Sequence, residues 1–271
     1  MKVLSLYCGA GGLDQGLKEV GIKTTLAIDL DKNACETMKL NHDCEVINGK
    51  VSDYESTFED FDIIIGGPPC QTFSYNNPNR KNDFTEVNTF IRIVEKVKPK
   101  FYLMENVMAL FKLLTWNEKY KIDCSHYGNP QNRKRVFWTD IPMPRQDIEL
   151  KSVNDIIPTD FKYIFKAGNT HQNRKVRTKI VNGQCDTVTA SDKMYWTNHQ
   201  IISEKYGFNF DVPKQELTIS EYAQLQGFPK DYKFSGSLSA QRKQIGNAVP
   251  IQVSKKWFNS IPLVTVRGKG N

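Results

Sequence analysis

Val3-Leu4-Ser5-Leu6-Tyr7-Cys8-Gly9-Ala10-Gly11-Gly12-Leu13, near the start of the chain, runs from a short β-rich stretch through a glycine cluster into Leu13, Leu17 and Val20 at helical spacing. This reads as strand, tight turn and helix, the opening of a βαβ unit. Thr24 to Ile28 gives a second strand that ends in Asp29, Lys32 to Leu40 a helix, and Glu45 to Ile47 a third strand. Phe61 to Ile65 is an apolar run of buried-strand type that enters Gly66-Gly67-Pro68-Pro69. Phe90 to Val97 has helical periodicity and stops before Pro99, and Phe101 to Met104 is strand-like again. Strands alternating with helices predict an α/β fold: a doubly wound, mostly parallel, Rossmann-like sheet with helices on both faces and ligands at the carboxyl ends of its strands.

The 271 residues suffice for one α/β domain with a small appended lobe. After Trp138 the texture changes, because Ile141 to Arg145 holds two prolines and the strand–helix alternation lapses. The expected organisation is a main domain over 1–140, a small irregular lobe over 141–216, and a segment over 217–271 that packs back on the main domain. A formal net charge of +7 favours a polyanionic partner, although mild basicity also serves solubility alone. Lys162, Lys166, Arg174, Lys175, Arg177 and Lys179 form a basic segment dotted with Tyr163, Phe165 and His171 and free of acidic residues. Such a segment suits phosphates and unstacked bases; a solvated loop is the plainer alternative. No apolar run reaches the roughly 18 residues of a membrane span, and nothing resembles a signal peptide, so a cytoplasmic protein is expected. The six cysteines form no CxxC pairs, which argues against a disulfide framework and a zinc site; no metal is expected.

The glycine cluster lets backbone approach a ligand closely and aims amide groups at it. Asp29 follows at roughly the twenty-residue offset at which a carboxylate grips ribose hydroxyls. A dinucleotide fits the same pattern, but Asp14 stands where G-x-G-x-x-G needs its third glycine, which turns the reading towards an adenosyl group. In Gly66-Gly67-Pro68-Pro69-Cys70-Gln71-Thr72-Phe73-Ser74 the prolines stiffen a turn that presents a thiol at the ligand edge. A lone cysteine is otherwise a small buried hydrophobe. Glu105-Asn106-Val107 brings a carboxyl group to that edge, where a glutamate can also be a simple helix-start acid.

Together these segments resemble the DNA (cytosine-5) methyltransferase family. Leu6 to Gly12 is similar to its cofactor motif, Gly67-Pro68-Pro69-Cys70-Gln71 to its nucleophile motif, and Glu105-Asn106-Val107 to the motif that contacts the target base. Gln131-Asn132-Arg133-Lys134-Arg135 matches Q-x-R-x-R, and Leu217-Thr218 through Leu225-Gln226-Gly227-Phe228-Pro229, then Gly246-Asn247-Ala248-Val249-Pro250, resemble the closing motifs in the family's order. The resemblance covers nearly the whole chain and thins between Pro144 and Glu216.

The resemblance implies methyl transfer from S-adenosylmethionine to C5 of a cytosine flipped out of double-stranded DNA, leaving S-adenosylhomocysteine. Cys70 would attack C6, Glu105 would bond N3 and the exocyclic amine, Arg135 would hold O2, and Arg133 would orient Glu105 or the DNA backbone. Tyr7, Gly9, Gly11, Gly12, Leu13, Asp29, Leu30, Val51, Pro69, Asn247 and Ala248 would bind the cofactor. Gln71, Ser74, Arg80, Lys81, Lys162, Arg174, Lys175 and Arg177 would face DNA, with Asn76-Asn77-Pro78-Asn79 in a closing loop. The 141–216 lobe would recognise the target. A monomer in a bacterial or phage-infected cell, with or without a cognate restriction endonuclease, is expected. Three departures stand out: Lys50 where the family has an aspartate that reads the adenine amine, a lid segment 82–86 without D-x-R-G, and short spacings from Glu105 to Tyr127 and from Trp138 to Leu217. Two rival readings are cytosine-5 methylation of RNA and a non-catalytic regulatory homologue.

Overall fold

The structure, a computed structural model, describes residues 1–69, 83–147, 149–167, 176–203 and 212–262. Five short strands come first: β1 (Val3–Leu6), β2 (Leu26–Asp29), β3 (Glu45–Asn48), β4 (Ile63–Gly66) and β5 (Phe101–Val107). They pair in parallel in the order β3-β2-β1-β4-β5. Every residue of β1 and β4 is buried, as it must be when helices cover both faces of a parallel sheet. Successive side chains point to opposite faces, so the two strands feed two cores. Leu4, Leu6 and Ile64 join Phe90, Ile93 and Val94 of α3 (Thr85–Val97) on one side. Val3, Ile63 and Ile65 join Leu17 of α1 (Gly12–Glu19) and Val253 and Trp257 of a C-terminal helix on the other. Each such aliphatic side chain contributes about 1.5–3 kcal/mol by leaving water. α2 (Lys32–Asn41) starts at Asp31, whose carboxylate accepts from the Asn33 and Ala34 amides.

α3 begins five residues before the apolar periodicity at Phe90 suggests, so Thr85 and Glu86 of the expected lid segment form its first turn. The Asp83 carboxylate starts it, accepting from the Thr85 amide at 2.9 Å. β6 (Lys119–Asp123) and β8 (Lys134–Thr139) complete a seven-stranded sheet in the order β5-β8-β6, with β8 antiparallel to both neighbours; β7 (Gln131–Asn132) lies just before β8. The crossover from β5 to β6 has a single 3₁₀ stretch, Met108–Lys112, and no α-helix, which is where the short spacing after Glu105 shows itself.

The small lobe holds α4 (Val153–Ile156), β9 (Tyr163–Ala167), β10 (Val176–Arg177), β11 (Lys179–Ile180), β12 (Cys185–Asp186), β13 (Lys193–Thr197), β14 (Ile202–Ser203) and β15 (Gln215–Glu216). Its main sheet runs β11-β9-β13-β15, and β12 pairs with β7 of the main domain. α5 (Ile219–Leu225) opens with a reciprocal capping box between Thr218 and Glu221, which gives the Leu217-Thr218 motif its structural meaning. α5 and α6 (Leu238–Asn247) share a core with the small lobe, through Leu225, Ile245, Val188 and Trp196. α7 (Ile251–Asn259) packs instead along α1, so closely that a Cβ on Gly16 would stand 2.1 Å from Ser254 Oγ. Among the described residues no helix is long and apolar enough to cross a membrane.

Candidate active site

The strand order reverses between β1 and β4, and ligands of doubly wound sheets bind at that switch point. A cavity of ≈ 370 Å³ lies there, walled by the carboxyl ends of β1, β2, β4 and β5 and by the turn after α6. Of the expected cofactor residues, Tyr7, Gly9, Gly12, Leu13, Asp29, Leu30, Val51, Pro69, Asn247 and Ala248 line it. Gly11 does not. At φ 78° it is the left-handed N-cap of α1, and a Cβ there would stand 2.6 Å from Met38 Sδ. Its glycine is required by the turn and by α2.

Asp29 is held by its surroundings: the Gly9 amide donates to Oδ2 and the Asp31 amide to Oδ1, each at 2.8 Å. Burial nevertheless raises its carboxyl above the ordinary range. Tyr232 donates to the Ala10 carbonyl at 2.6 Å, and Thr37 donates to Gln244 at 2.6 Å, so the C-terminal segment closes over the glycine turn and α2.

Glu105 lies on β5, two residues before its end, on the opposite wall with 8 % of its surface exposed. Its Oε1 meets Arg135 Nε at 2.9 Å. A Cβ on Gly67 would stand 3.5 Å from its Oε2, which places that oxygen beside the turn leading to Pro69. Burial pushes the Glu105 carboxyl up, against the pull of Arg135 and Arg133. Asn106 donates to the Pro68 carbonyl at 3.0 Å and pins the same turn; sequence reasoning gave it no role of its own. Cys70, Gln71, Ser74, Arg80 and Lys81 lie outside the described residues, as do Arg174 and Lys175.

The resemblance gave Arg133 either Glu105 or the DNA backbone to orient; the ion pair with Glu105 is made by Arg135. Arg133, 1 % exposed, donates from Nη1 to the Val188 carbonyl at 2.9 Å and from Nη2 to the Gly246 and Ala248 carbonyls at 3.1 and 3.0 Å. Gln131 works alongside it, bonded to the Leu225 carbonyl, Gln226 and the Val188 amide. The Q-x-R part of the motif therefore clamps the small lobe to the α6–α7 turn. Arg133→Met takes a donor from three carbonyls, and at about 1 kcal/mol for each the protein should lose about 3 kcal/mol and melt roughly 8 °C lower. Thermal unfolding by circular dichroism checks this; a melting point within about 2 °C of the parent rules the clamp out.

The basic segment is less free than its count suggests. Lys166 pairs with Asp192 at 2.9 Å and is mostly buried. Lys162 is exposed, Arg177 lies on β10, and the rim of the main cavity gains Lys243, paired with Asp31 at 3.1 Å. Lys50 and Glu86 also line that cavity, and no motif singled out Glu86; its only signal is an acid in the first turn after the nucleophile loop.

A doubly wound sheet with a buried Glu–Arg pair and a nucleotide-sized cavity at its switch point is the architecture of an α/β enzyme of the methyltransferase class. A profile of the C-5 cytosine-specific DNA methylase family matches residues 1–163 and 144–262, and the chain belongs to that family: it is a DNA cytosine-5 methyltransferase. Type II methyltransferase M.NgoPII of Neisseria gonorrhoeae is 30% identical over 327 aligned positions, which cover 94% of this chain and 93% of that protein. Type II methyltransferase M.FnuDI of Fusobacterium nucleatum is 28% identical over 320 positions, covering 94% and 92%. Both alignments are longer than the 271 residues here, so the relatives carry insertions relative to this chain. Among solved structures, a chain encoded within a prophage (E. coli) has a TM-score of 0.67 at 20% identity, covering 96% of this chain and 98% of that one. A DNMT2 mutant of Spodoptera frugiperda has a TM-score of 0.64 at 19% identity, with the same coverage. These two show the fold.

Proposed function

We propose that this protein methylates a cytosine turned out of duplex DNA through a covalent bond from Cys70, with S-adenosylmethionine as donor. The observation that carries the reading is Glu105: a buried carboxyl, paired with Arg135, in the same cavity wall as the Gly67–Pro69 turn that leads to Cys70.

The residues at the other end fit an adenosyl group. Gly9 has open space where a side chain would stand, Asp29 keeps lone pairs beyond its two amide bonds, and Leu30 exposes 72% of its surface at the rim. When bound, S-adenosylmethionine supplies an electrophilic methyl group on a sulfonium. Gly9, Gly12 and Leu13 would hold its amino-acid part, Asp29 would accept from ribose hydroxyls, Tyr7, Leu30, Val51 and Pro69 would flank the base, and Asn247 and Ala248 would close the site.

Cytosine C5 is a weak nucleophile because its electrons belong to an aromatic ring. The Cys70 thiolate adds to C6, forming an S–C bond and moving a π pair towards C5, while Glu105, in its protonated form, donates its proton to N3 and accepts from the exocyclic amine. Arg135 fixes the Glu105 carboxyl and reaches O2. Once C5 carries its methyl group, water takes the C5 proton, the S–C6 pair returns to Cys70, and the N3 proton returns to Glu105. Extruding the base costs a few kcal/mol; Gln71, Ser74, Arg80, Lys81, Lys162, Arg174, Lys175 and Arg177 contact the DNA that meets this cost, and the 141–216 lobe selects the site. The protein acts as a cytoplasmic monomer, and its Type II relatives favour a partnership with a restriction endonuclease. Bisulfite sequencing of DNA from cells expressing the chain tests the reading: protected cytosines in one recurring sequence are expected, and methylation confined to RNA or to an exocyclic nitrogen overturns it.

A further inference from the structure

The cavity wall beyond Asp29 holds a pair of opposite charges that the chemistry above leaves unused. Lys50 follows β3, Glu86 lies in the first turn of α3, and both line the cavity. Lys50 Nζ stands 4.0 Å from Glu86 Oε1, too far for a hydrogen bond. The other carboxylate oxygen is fixed, because the Tyr7 hydroxyl donates to Glu86 Oε2 at 2.9 Å. Tyr7 sits at φ 53°, a left-handed conformation unusual for a bulky residue, so the turn that aims it is tightly determined. Burial, then Glu86 itself, push the Tyr7 hydroxyl well up, which keeps it a donor. The pair thus offers the cavity one acceptor and one donor side by side, with 26% of the Glu86 and 49% of the Lys50 side chain still exposed.

The sheet places this pair where a base belongs. Asp29 is in register with Asn48 on the neighbouring strand, and Lys50 is two residues further on. With strands about 4.8 Å apart, the four steps from β5 to β3 span about 19 Å. Transfer beside Glu105 and ribose at Asp29 leave the base of an adenosyl donor at the β3 end. Adenine carries an amine donor next to the N1 acceptor along one edge, the complement of Glu86 Oε1 and Lys50 Nζ.

We propose that Glu86 and Lys50 read this edge, Glu86 Oε1 accepting from the exocyclic amine and Lys50 donating to N1. A first-turn acid also favours the helix dipole, but that role needs neither the Tyr7 bond nor Lys50. The proposal rests on the adenosyl donor, and its test separates the two. Calorimetry on the full chain compares S-adenosylhomocysteine with S-inosylhomocysteine, whose 6-oxo group and N1–H present an acceptor to Glu86 and a donor to Lys50. The parent should prefer the adenosyl compound by about 30-fold or more, since groups built to bond a donor reject an analogue that lacks it. Glu86→Leu should bring the ratio below about 3-fold, mostly by weakening the adenosyl compound, and Lys50→Met should lower it by about 3- to 10-fold. A ratio unchanged within about 2-fold in Glu86→Leu, or in Lys50→Met should the first variant not fold by circular dichroism, overturns the edge reading alone. A parent that binds neither compound overturns the donor and the edge reading together.

Discussion

Cys70→Ser is expected to lower methyl transfer by on the order of 10⁴-fold or more, while DNA binding and thermal stability stay close to the parent. A serine hydroxyl is almost wholly protonated at neutral pH and cannot add to C6, so C5 never gains the electron density to take a methyl group. A second readout separates this from general damage: duplex DNA carrying 5-fluorocytosine should trap the parent as an adduct that survives denaturation, because fluorine cannot leave C5 as a proton does. Cys70→Ser should form none. The five described cysteines are poor substitutes. Burial pushes the Cys35 thiol up to about 11 and the Cys44 and Cys124 thiols up to about 12, and Cys8 and Cys185 are raised as well. Thiols so raised are scarcely ionised at neutral pH and react slowly. A trapped adduct that persists in Cys70→Ser, or turnover at the parental rate, removes the nucleophile from the account.

The residues that proved legible in the sequence are those whose roles are local. Val3 to Leu13 announces strand, turn and helix because buried β-residues, glycines and helical spacing all act over a few positions. Arg133 and Arg135 were not separable in the same way, since two residues of the same type at a spacing of two share one face of a strand. The pairing of β5 with β8 decides between them: Val107 lies opposite Arg135 and Glu105 opposite Phe137. That makes Glu105 and Arg135 diagonal cross-strand neighbours, within reach of a long side chain, while Arg133 falls beyond the end of the ladder. Such registers join segments some thirty residues apart and leave no local pattern. Gly11 is ambiguous for a related reason: a glycine required by a left-handed turn and by Met38 looks, in sequence, like a glycine that meets a ligand. Lys166 counted towards the basic segment, and β9 with the residues before β13 brings it to Asp192.

Glu105→Gln should lower kcat by about 10²- to 10³-fold, the usual worth of a positioned general acid, with a smaller effect on DNA affinity. The pH dependence identifies the group. Burial raises the Glu105 carboxyl in the folded protein, so between its unfolded value and its folded value the native state holds a proton that the unfolded chain has lost. Stability from this residue is therefore full below the ordinary carboxylate range and declines as pH rises through the raised folded value. Glu105→Gln should lack that decline. The rate follows the same proton: donation to N3 needs the neutral acid, so turnover falls on the alkaline side as Glu105 ionises, while the need for a Cys70 thiolate makes it fall on the acid side. Glu105→Gln should lose the alkaline limb and keep the acid one. Arg135→Met, which removes a charge that pulls the carboxyl down, should move the alkaline limb to higher pH. A pH–rate profile of the three proteins decides the matter, because a carboxylate that only packed against Arg135 would change the melting point in Glu105→Gln and leave the shape of the profile as it was.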